Sequence, residues 1–437
     1  MSTKGACQTA DLPLAGVRVI DVTLVWAGPF ASMILGDLGA EVIRVENIHH
    51  FPPSTRGVAP KPPPSYMSGA GGALYPNAEG GERPWNRCAV FNCSGRNKLS
   101  MTLDPRRPKG KQLFKKLVAI SDILIENNAY GVMERLGWGY KELKKIKPDL
   151  IMISMPAFGN SGPYKELKGF GAVLESLIGH TYLRGYPDLD PTRTGNPVYH
   201  ADASAGAIAA FAALVCLYHR HRCGEGQFVD LAQAETILAQ LGEPIMEYTM
   251  NGLVQQPRGN RDAVAAPQGC WRCRGEDKWI NISVCTDEQW RGLCKAMGEP
   301  PWSTEQRFAD SLGRWHHHKE LDDLIGEWTG RMDIWEVTDL LQRHAVPAGP
   351  VLDEALAFSD PHLQARRYWV DIEHQEAGTH PYPGFLWRMS ATPPMVRKPS
   401  PCLGEHNDYV YRELLGLSRQ EIDQLEKEGH IGYDYVC

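Results

Sequence analysis

The sequence lacks the features that mark most nucleic-acid-binding and membrane proteins. It has no excess of basic residues, because 46 Lys and Arg stand against 52 Asp and Glu and the formal net charge is -6. The electrostatic footprint of a nucleic-acid-binding domain is therefore missing. The longest apolar run, 203–218, falls short of the roughly 20 residues that span a bilayer. We expect neither a nucleic acid nor a membrane among its partners.

The cysteines lack the pattern of a disulfide framework or of a zinc ribbon. Their number, 11, is odd, and residues 1–10 contain no apolar signal-peptide segment. Cys270 and Cys273 form one CxxC pair, but the second pair that zinc ribbons usually carry is missing. Three consecutive histidines, 316–318, would point about 100° apart on a helix and would not share a face. We expect free thiols, a cytoplasmic location and no bound metal.

Strand and helix patterns nevertheless alternate from the start of the chain. Val17–Val22 is a β-branched run, Pro29–Leu38 has the apolar spacing of a helix, and Glu41–Val45 is a second short strand. A strand, a helix and a strand within about thirty residues indicate a parallel βαβ unit. The alternation continues to Ser154 and predicts an α/β fold with a large, doubly wound, Rossmann-like domain.

The first loop of this unit has few of the glycines that a dinucleotide site needs. It reads Trp26-Ala27-Gly28-Pro29, and Pro29 removes an N–H donor that a phosphate would use. Glu46 closes the second strand, as an acidic residue does in NAD-binding proteins, but the closely spaced glycines are missing. The sequence does not favour NAD, and we expect no permanently bound cofactor.

The segment Phe51–Arg87 has a different composition. It is rich in Pro, Gly and Ser and includes three consecutive prolines at 62–64. This composition predicts a long irregular loop. Such loops in compact proteins are usually either functional or disordered.

Beyond residue 200 the alternation gives way to helices. Ala203–His221 and Leu231–Met250 read as long helices, and Trp279–Val284 reads as a strand. Shorter helices follow as far as His344, so we predict a smaller α+β domain here. The predicted division is residues 1–225 for the first part of the large domain, 226–350 for the small domain, and 351–437 for a segment that returns to the large domain.

Ten short motifs, spread over nearly the whole chain, resemble those of the family III CoA-transferases and occur in the same order. No single motif is decisive, and the resemblance rests on the set. In chain order they are LAGVRVID (14–21), AGP (27–29), DLGAEVIRVE (37–46), SDILIEN (121–127), GVMERLG (131–137), FGNSGPY (158–164), GEGQFVD (224–230), VPAGPV (346–351), DPHLQAR (360–366) and LGEH (403–406).

The resemblance implies a fold and a reaction. Each chain of the family is a large Rossmann-like domain and a small domain threaded as an open ring, and two rings interlock. The family moves CoA from an acyl-CoA donor to a free carboxylic acid through an aspartate, which forms a mixed anhydride and then a thioester with CoA. CoA and acyl-CoA would thus be substrates.

The resemblance also implies where the nucleophile should lie. The aspartate is expected after a Gly-aromatic pair, shortly beyond the Gly-Pro-Tyr segment. The chain reads Gly169-Phe170-Gly171 there, so Gly171, which has no side chain, occupies the expected position. Two further departures are Ala129, where a basic residue is usual, and Gly259-Asn260, which is not followed by the usual run of glycines.

Other residues remain as candidates. Glu175 follows Gly171 by one helical turn and is either a displaced nucleophile or a capped or paired surface glutamate. Asp202 opens the Ala-rich helix and is interpreted as an N-cap, and Asp230 is interpreted as structural. The expected contacts with CoA are Trp26, Ala27, Arg44, Asn97 and Lys98, although Arg44 and Lys98 could equally be ordinary surface cations.

These features lead to one hypothesis and several alternatives. The chain most resembles the non-catalytic subunit of benzylsuccinate CoA-transferase, in which a homologous partner would carry the nucleophile. Succinyl-CoA would be the donor and an aromatic dicarboxylic acid the acceptor. The alternatives are a self-sufficient homodimer that uses Glu175 or another carboxylate, and a non-catalytic CoA-binding or scaffold protein. The racemase branch of the family also needs the aspartate, so Gly171 counts against it equally.

Overall fold

The computed structural model describes residues 12–190 and 200–436. These residues form two compact units. The larger unit takes its described residues from Met1–His180, Pro197–Met246 and Arg367–Cys437, and the smaller unit from Thr181–Asn196 and Glu247–Arg366. The predicted division of the chain at residues 225 and 350 stays a prediction.

A six-stranded parallel sheet forms the centre of the larger unit. Its strands are β1 (Arg18–Asp21), β2 (Glu41–Glu46), β3 (Lys98–Thr102), β4 (Ile123–Glu126), β5 (Ile151–Ser154) and β6 (Phe228–Asp230). They lie in the order β3-β2-β1-β4-β5-β6, which is the doubly wound order of a Rossmann fold. The predicted α/β, Rossmann-like architecture is confirmed by this order and by the solved structures compared below.

Helices of very different length connect and surround the strands. In chain order they are α1 (Ala27–Asp37), α2 (Pro64–Met67), α3 (Pro84–Arg87), α4 (Ala89–Gly95), α5 (Pro108–Ala119), α6 (Val132–Leu136), α7 (Tyr140–Leu143), α8 (Gly171–Leu177), α9 (His180–Leu183), α10 (His200–Cys223), α11 (Glu235–Leu238), α12 (Gly242–Asn251), α13 (Asp287–Ala296), α14 (Ser311–His316), α15 (His318–Thr329), α16 (Ile334–Arg343), α17 (Glu354–Ser359), α18 (Pro361–Ala365) and α19 (Arg419–Lys427). Short 3-10 turns occupy Gly72–Leu74, Pro76–Ala78, Ala239–Leu241, Pro301–Thr304 and Gln306–Phe308, and a π-helix occupies Tyr409–Leu414.

Helices cover both faces of the parallel sheet, so that successive strand residues are buried on opposite sides. Val19 belongs to the core that β1 shares with α1 and α10, whereas Ile20 belongs to the core on the side of α5 and α19. Both side chains are fully buried. This two-sided burial explains why the strands read as nearly continuous apolar runs.

A glycine brings α1 and α10 close together. A Cβ atom on Gly206 would lie 2.6 Å from the backbone oxygen of Ala27, so only glycine allows this approach. Asp202 precedes Gly206 by four residues and lies on the same face of α10. The packing therefore directs the first turn of α10 toward the loop that precedes α1.

By length and composition alone, α10 could cross a membrane. One side of it is buried in the core of the larger unit through Ala205, Ala209 and Ala213. An apolar helix with a buried stripe of small residues is typical of the core of a globular protein.

The smaller unit has a separate core. Its antiparallel sheet consists of β7 (Gln268–Arg272), β8 (Trp279–Ser283) and β9 (Ala348–Val351). Trp271, Ile280 and Leu341 are among the buried residues that join this sheet to its helices.

The last part of the chain belongs to the larger unit and forms the hairpin of β10 (Trp369–His374) and β11 (Gly378–Pro383). A capping box of Ser418 and Glu421 begins α19, as the sequence predicts. Beyond it, the Tyr435 ring meets the ring of Trp85 edge-on, at 5.5 Å between centroids. The C-terminal segment thus fixes one end of the segment Phe51–Arg87.

Candidate functional site

The sheet reverses its strand order between β1 and β4, and ligands of doubly wound folds bind at the carboxyl ends of the strands at such a point. Two reciprocal hydrogen bonds join the loops that follow these strands. Leu24 donates its N–H to Oδ1 of Asn127 at 2.7 Å, and Asn127 Nδ2 donates to the Leu24 carbonyl at 2.9 Å. The first loop is therefore held where the fold predicts a ligand.

Val25, the next residue of this loop, has a strained backbone. Its φ of 58° lies in the left-handed region, which is unusual for a β-branched residue. The Val25 N–H donates to Oγ1 of Thr55 at 2.7 Å, and Thr55 is buried. Such conformations cost on the order of 1–3 kcal/mol and persist only where the surroundings enforce them. Here the strain directs Trp26, the residue that precedes α1.

A cavity of about 470 Å³ opens beside this loop. We call it the Asp202 cavity. Among the described residues that line it, Asp202 alone carries a formal charge, so the cavity combines a mainly apolar wall with one carboxylate. The lining residues are Val25, Trp26, Pro53, Ser54, Gly57, Val58, Tyr66, Leu74, Val90 and Asp202.

The structure corrects the interpretation of Asp202 as an N-cap. Helix α10 begins at His200, so Asp202 lies inside the first turn and not at the cap. No hydrogen bond to its carboxylate occurs in the part of the chain that the structure describes. Burial, together with the nearby Glu175 carboxylate, raises the pKa of Asp202 to about 6. At neutral pH the group is mostly ionised and only partly hydrated, which suits a nucleophile.

Glu175 lies in the interior behind Asp202, with 1% of its surface exposed. Its Oε1 accepts the N–H of Ala201 at 3.2 Å, and its Oε2 lies 3.3 Å from Nδ1 of His180. One carboxylate thus binds the start of α10 and places a negative charge beside Asp202. This geometry favours a positioning role for Glu175, and its predicted role as a displaced nucleophile stays a prediction.

Gly171 begins α8 and is buried. It offers no side chain, as the sequence analysis notes, and its assignment to the nucleophile position stays a prediction. Sequence reasoning did not consider Asp202 as a candidate nucleophile because it measured the expected distance from the Gly-Pro-Tyr segment. The signal that could have found it is the pair of Asp202 and Gly206, an acid one turn before a glycine on an Ala-rich helix.

The three polar or charged residues among the expected CoA contacts, Arg44, Asn97 and Lys98, lie inside the protein. Lys98 Nζ lies 3.0 Å from a carboxylate oxygen of Asp21 and donates to the Pro29 carbonyl at 2.8 Å. Arg44 lies between Asp21 and Glu46, at 3.5 Å and 3.4 Å. All four side chains are buried, so Arg44 and Lys98 are not surface cations. Their predicted contacts with CoA stay predictions.

The electrostatics of this buried network differ from those of Asp202. Burial would raise the pKa of Asp21, but Lys98 and Arg44 hold it well below its ordinary value. Burial acts in the same direction on Glu46, and Arg56 and Arg44 lower its pKa to about 2. Burial lowers the pKa of Lys98 to about 8, against the opposing effect of Asp21. The network is a set of internal ion pairs that stay charged at neutral pH.

Asn97, the third of these contacts, is also occupied internally. Its Nδ2 donates to Asp37 at 2.6 Å and to the Met395 carbonyl at 2.7 Å, and its φ is 60°. It therefore ties the C-terminal segment to α1. Trp26 and Ala27 differ, because both lie at the start of α1 and Trp26 borders the Asp202 cavity.

The remaining departures from the family pattern lie elsewhere. Ala129 is exposed in the turn after β4. Asn260 belongs to the smaller unit and accepts the Tyr186 hydroxyl at 3.2 Å, next to Gly259 with its φ of 61°. Asp230 accepts the N–H of Asn160 at 2.9 Å, consistent with a structural role.

One group of described residues could supply several metal ligands. His219, Cys223 and Glu225 bring their ligand atoms within 4.8 Å of one another. All three are exposed at the end of α10 opposite to Asp202. The prediction of no bound metal stays a prediction.

Comparisons with known proteins agree with the fold and with the motifs. The profile of CoA-transferase family III matches residues 14–407. The chain is 35% identical over 420 residues to the succinyl-CoA–D-citramalate CoA-transferase of Chloroflexus aurantiacus, covering 96% of this chain and 98% of the relative. It is 33% identical over 426 residues to the beta subunit of the succinyl-CoA–L-malate CoA-transferase of the same organism, with 96% and 98% covered.

Solved structures give the same result. A CAIB/BAIF family protein from Brucella suis superimposes with a TM-score of 0.80 at 30% identity, over 92% of this chain and 100% of that chain. A second, Rv3272 from Mycobacterium tuberculosis, gives a TM-score of 0.74 at 26% identity, over 91% and 99% of the two chains. The profile match and the full-length relatives together establish that this chain belongs to CoA-transferase family III.

Proposed function

We propose that this chain is itself a catalytic CoA-transferase and that Asp202 is its nucleophile. The observation that carries the proposal is a partly buried carboxylate, Asp202, that borders a cavity beside the loop at the switch point of the sheet. This differs from the first hypothesis of the sequence analysis, in which a partner chain supplies the carboxylate. Gly171 no longer argues for a silent subunit if the nucleophile comes from α10.

The proposed reaction is a sequence of acyl transfers. An oxygen of Asp202 attacks the thioester carbonyl, the C–S bond breaks, and a mixed anhydride and CoA thiolate form. The thiolate then attacks the aspartyl carbonyl and releases the donor acid, leaving an aspartyl thioester. The acceptor carboxylate attacks this thioester to form a second anhydride, and the thiolate returns to the acceptor's carbonyl, which regenerates Asp202.

The surroundings of Asp202 favour the first of these steps. A carboxylate whose pKa is raised is a stronger nucleophile than an ordinary aspartate. Attack removes its negative charge, so repulsion from Glu175 is relieved as the anhydride forms. The first N–H groups of α1, at Ala27 and Gly28, have no partner within the helix and lie at its positive end. They are suitable donors to the developing oxyanion.

Succinyl-CoA is the proposed donor, because both Chloroflexus aurantiacus relatives, the D-citramalate CoA-transferase and the L-malate CoA-transferase beta subunit, have succinyl-CoA in their names. The acceptor is a carboxylic acid. An aromatic dicarboxylic acid similar to benzylsuccinate stays part of the proposal, on the resemblance given in the sequence analysis. CoA thioesters enter as substrates, and the proposed location is cytoplasmic.

A second chain is the proposed partner, either another copy or a homologous subunit, in the interlocked arrangement that the family implies. Exposed apolar side chains on the larger unit support this. Phe170 is 72% exposed and Phe211 and Tyr218 are each 66% exposed, so large apolar side chains are available for contact with a second chain. Relatives named as alpha and beta subunits support a heteromer.

The test is to express this chain without any homologue and to follow the exchange of labelled succinate into succinyl-CoA. Exchange by the isolated chain, abolished by Asp202→Asn, supports the proposal. Glu225→Gln, an exposed carboxylate at the other end of α10, is the matched control and should exchange normally. If exchange requires a homologous chain and is unaffected by Asp202→Asn, the silent-subunit alternative is correct. If CoA binds without exchange in any combination, the chain is a binding protein.

A further inference from the structure

The lining of the Asp202 cavity indicates which class of acceptor acid the enzyme prefers. We infer that the acceptor acid this enzyme handles best carries a bulky apolar substituent, such as an aryl ring, which rests on the apolar wall of this cavity. This inference rests on the proposed function, because it takes Asp202 as the reacting carboxylate. It goes further by assigning specificity to the segment between β2 and β3.

The wall is built mainly by this segment. Val58, Tyr66, Leu74 and Val90 border the cavity, and they face the Val25–Trp26 loop that carries the strained backbone. Aliphatic and aromatic side chains favour the apolar groups of a ligand. The predicted irregular loop Phe51–Arg87 therefore forms a defined wall, with the short helices α2 and α3 and two 3-10 turns within it.

An ion pair holds the base of this wall. Arg56 donates to Glu46 at 2.9 Å and 2.5 Å, and its guanidinium lies 3.4 Å from the centre of the Phe91 ring. Gly57 follows with a φ of 114°, and a Cβ there would lie 2.5 Å from the Tyr75 hydroxyl. Because Arg56 and Gly57 are held in place, the backbone of Val58 is positioned by its neighbours in the chain. The wall is therefore pre-formed.

Two cations of this segment, Arg56 and Arg87, are engaged by groups outside the cavity lining. Arg56 is fully buried and pairs with Glu46. Arg87 donates to the carbonyls of Glu79 at 3.2 Å and Pro76 at 3.4 Å, and also to the Glu376 carbonyl. No described residue that lines the cavity carries a positive charge, so a second carboxylate at the wall would have no ion-pair partner there. An apolar group there gains from burial instead.

The size of the cavity agrees with such a ligand. About 470 Å³ lies within the range of roughly 300–1,000 Å³ that is usual for small-molecule pockets. A short unbranched acid would leave much of the wall uncovered. The difference between an acid with a ring and the same acid without it should therefore appear in kcat/KM.

The experiment compares two acceptors that differ only in the ring, 3-phenylpropanoate and propanoate, with succinyl-CoA as donor. We expect kcat/KM for 3-phenylpropanoate to be at least about tenfold higher, since differences of even one apolar group reach that size in hydrophobic pockets. Equal values, or a preference for propanoate, overturn the inference.

Substitution of the wall gives a second, independent test. Val58 is 42% exposed, so Val58→Thr and Val58→Lys should fold. Val58→Thr should reduce the preference for the ring several-fold, and Val58→Lys should reverse it and improve glutarate, whose second carboxylate could pair with the new cation. Val254→Thr, at a valine that is 62% exposed, is the matched control and should change neither acceptor. An unchanged preference in both Val58 variants contradicts the inference.

The exchange of labelled succinate into succinyl-CoA separates this failure from failure of the proposed function. If the wild-type chain exchanges succinate but shows no preference for the ring, only the substrate class is wrong. If it exchanges no succinate and transfers CoA to neither acceptor, the role of Asp202 is wrong as well.

Discussion

Two groups of carboxylates lie at the same edge of the sheet, and the charges beside them differ in sign. Asp21 and Glu46 are buried among Lys98, Arg44 and Arg56 and have lowered pKa values. Asp202 is partly buried beside another carboxylate and has a raised one. Burial is common to both groups, so the sign of the neighbouring charge decides whether a carboxylate becomes a fixed ion pair or a reactive group.

Removal of the Asp202 carboxylate should have the largest effect on activity. Asp202→Asn keeps the size of the side chain but cannot form an anhydride that turns over, so we expect kcat to fall by on the order of 10³ or more. Stability at neutral pH should be unchanged or slightly higher, because the variant removes repulsion with Glu175. Steady-state kinetics and urea unfolding measure the two effects. Activity within tenfold of the wild type would exclude Asp202 as the nucleophile.

Removal of Lys98, a cation of the buried network around Asp21 and Glu46, should lower the stability of the protein. Lys98→Met leaves the buried Asp21 with Arg44 as its remaining cation, so we expect a loss of about 3–5 kcal/mol in the free energy of unfolding. Lys145→Met removes the exposed partner of Glu142, and should change stability by no more than about 0.5 kcal/mol. Urea unfolding of both variants makes the comparison. A loss below about 1 kcal/mol for Lys98→Met would show that the network is not a structural requirement.

Loss of the hydrogen bond from the Val25 N–H to Thr55 should have a smaller effect on stability and activity. Thr55→Val removes the acceptor of the Val25 N–H, which leaves a buried donor unpaired and costs about 1–3 kcal/mol. We expect kcat/KM to fall about tenfold because Trp26 loses its position, an effect of the same order as that cost. Thr55→Ser keeps the hydroxyl and should retain most of the activity. Equal activity of the two variants would contradict this role.

A change of charge beside Asp202 should shift its titration. The ionised carboxylate is the reactive form, so kcat/KM should rise with pH around a midpoint near 6. Glu175→Gln keeps an oxygen that can accept the Ala201 N–H but removes the repelling charge, which lowers the pKa of Asp202. The midpoint should move below 6 and the plateau should fall several-fold, because a less basic carboxylate attacks more slowly. An unmoved midpoint would mean that Glu175 does not influence the nucleophile.

The titration of Asp202 should also change the free energy of unfolding with pH. The folded pKa of Asp202 lies above that of an unfolded aspartate, so its contribution to stability is fully present below about pH 3.9 and is lost as pH rises through about 6. In Glu175→Gln this loss should be smaller. The pH dependence of urea unfolding, compared with Asp202→Asn, isolates the contribution.

The fold could be predicted from the sequence because its signals are local. β-branched runs and helical spacing placed β1, α1 and β2 within a few residues, and Ser418 with Glu421 marked the start of α19. The positions of Arg44 and Lys98 could not be predicted in this way. They alternate with apolar residues on strands, and only the covering of both sheet faces determines that they are buried.

The arrangement of the candidate site could not be predicted without knowing how the helices pack. Asp202 and Glu175 are 27 residues apart in sequence, and they meet because Glu175 binds the start of α10 while Gly206 lets α10 approach α1. Neither contact leaves a pattern that periodicity can detect. The expected spacing from the Gly-Pro-Tyr segment points to Gly171, at the start of a different helix, and that assignment stays a prediction.

The central claim is that this chain forms a covalent acyl intermediate on α10. The most direct measurement incubates the isolated chain with succinyl-CoA, traps the intermediate with hydroxylamine and locates the hydroxamate by peptide mass spectrometry. Our account predicts one hydroxamate, on Asp202, which is absent without succinyl-CoA. A hydroxamate on Glu175, or on a homologous partner chain alone, would contradict it.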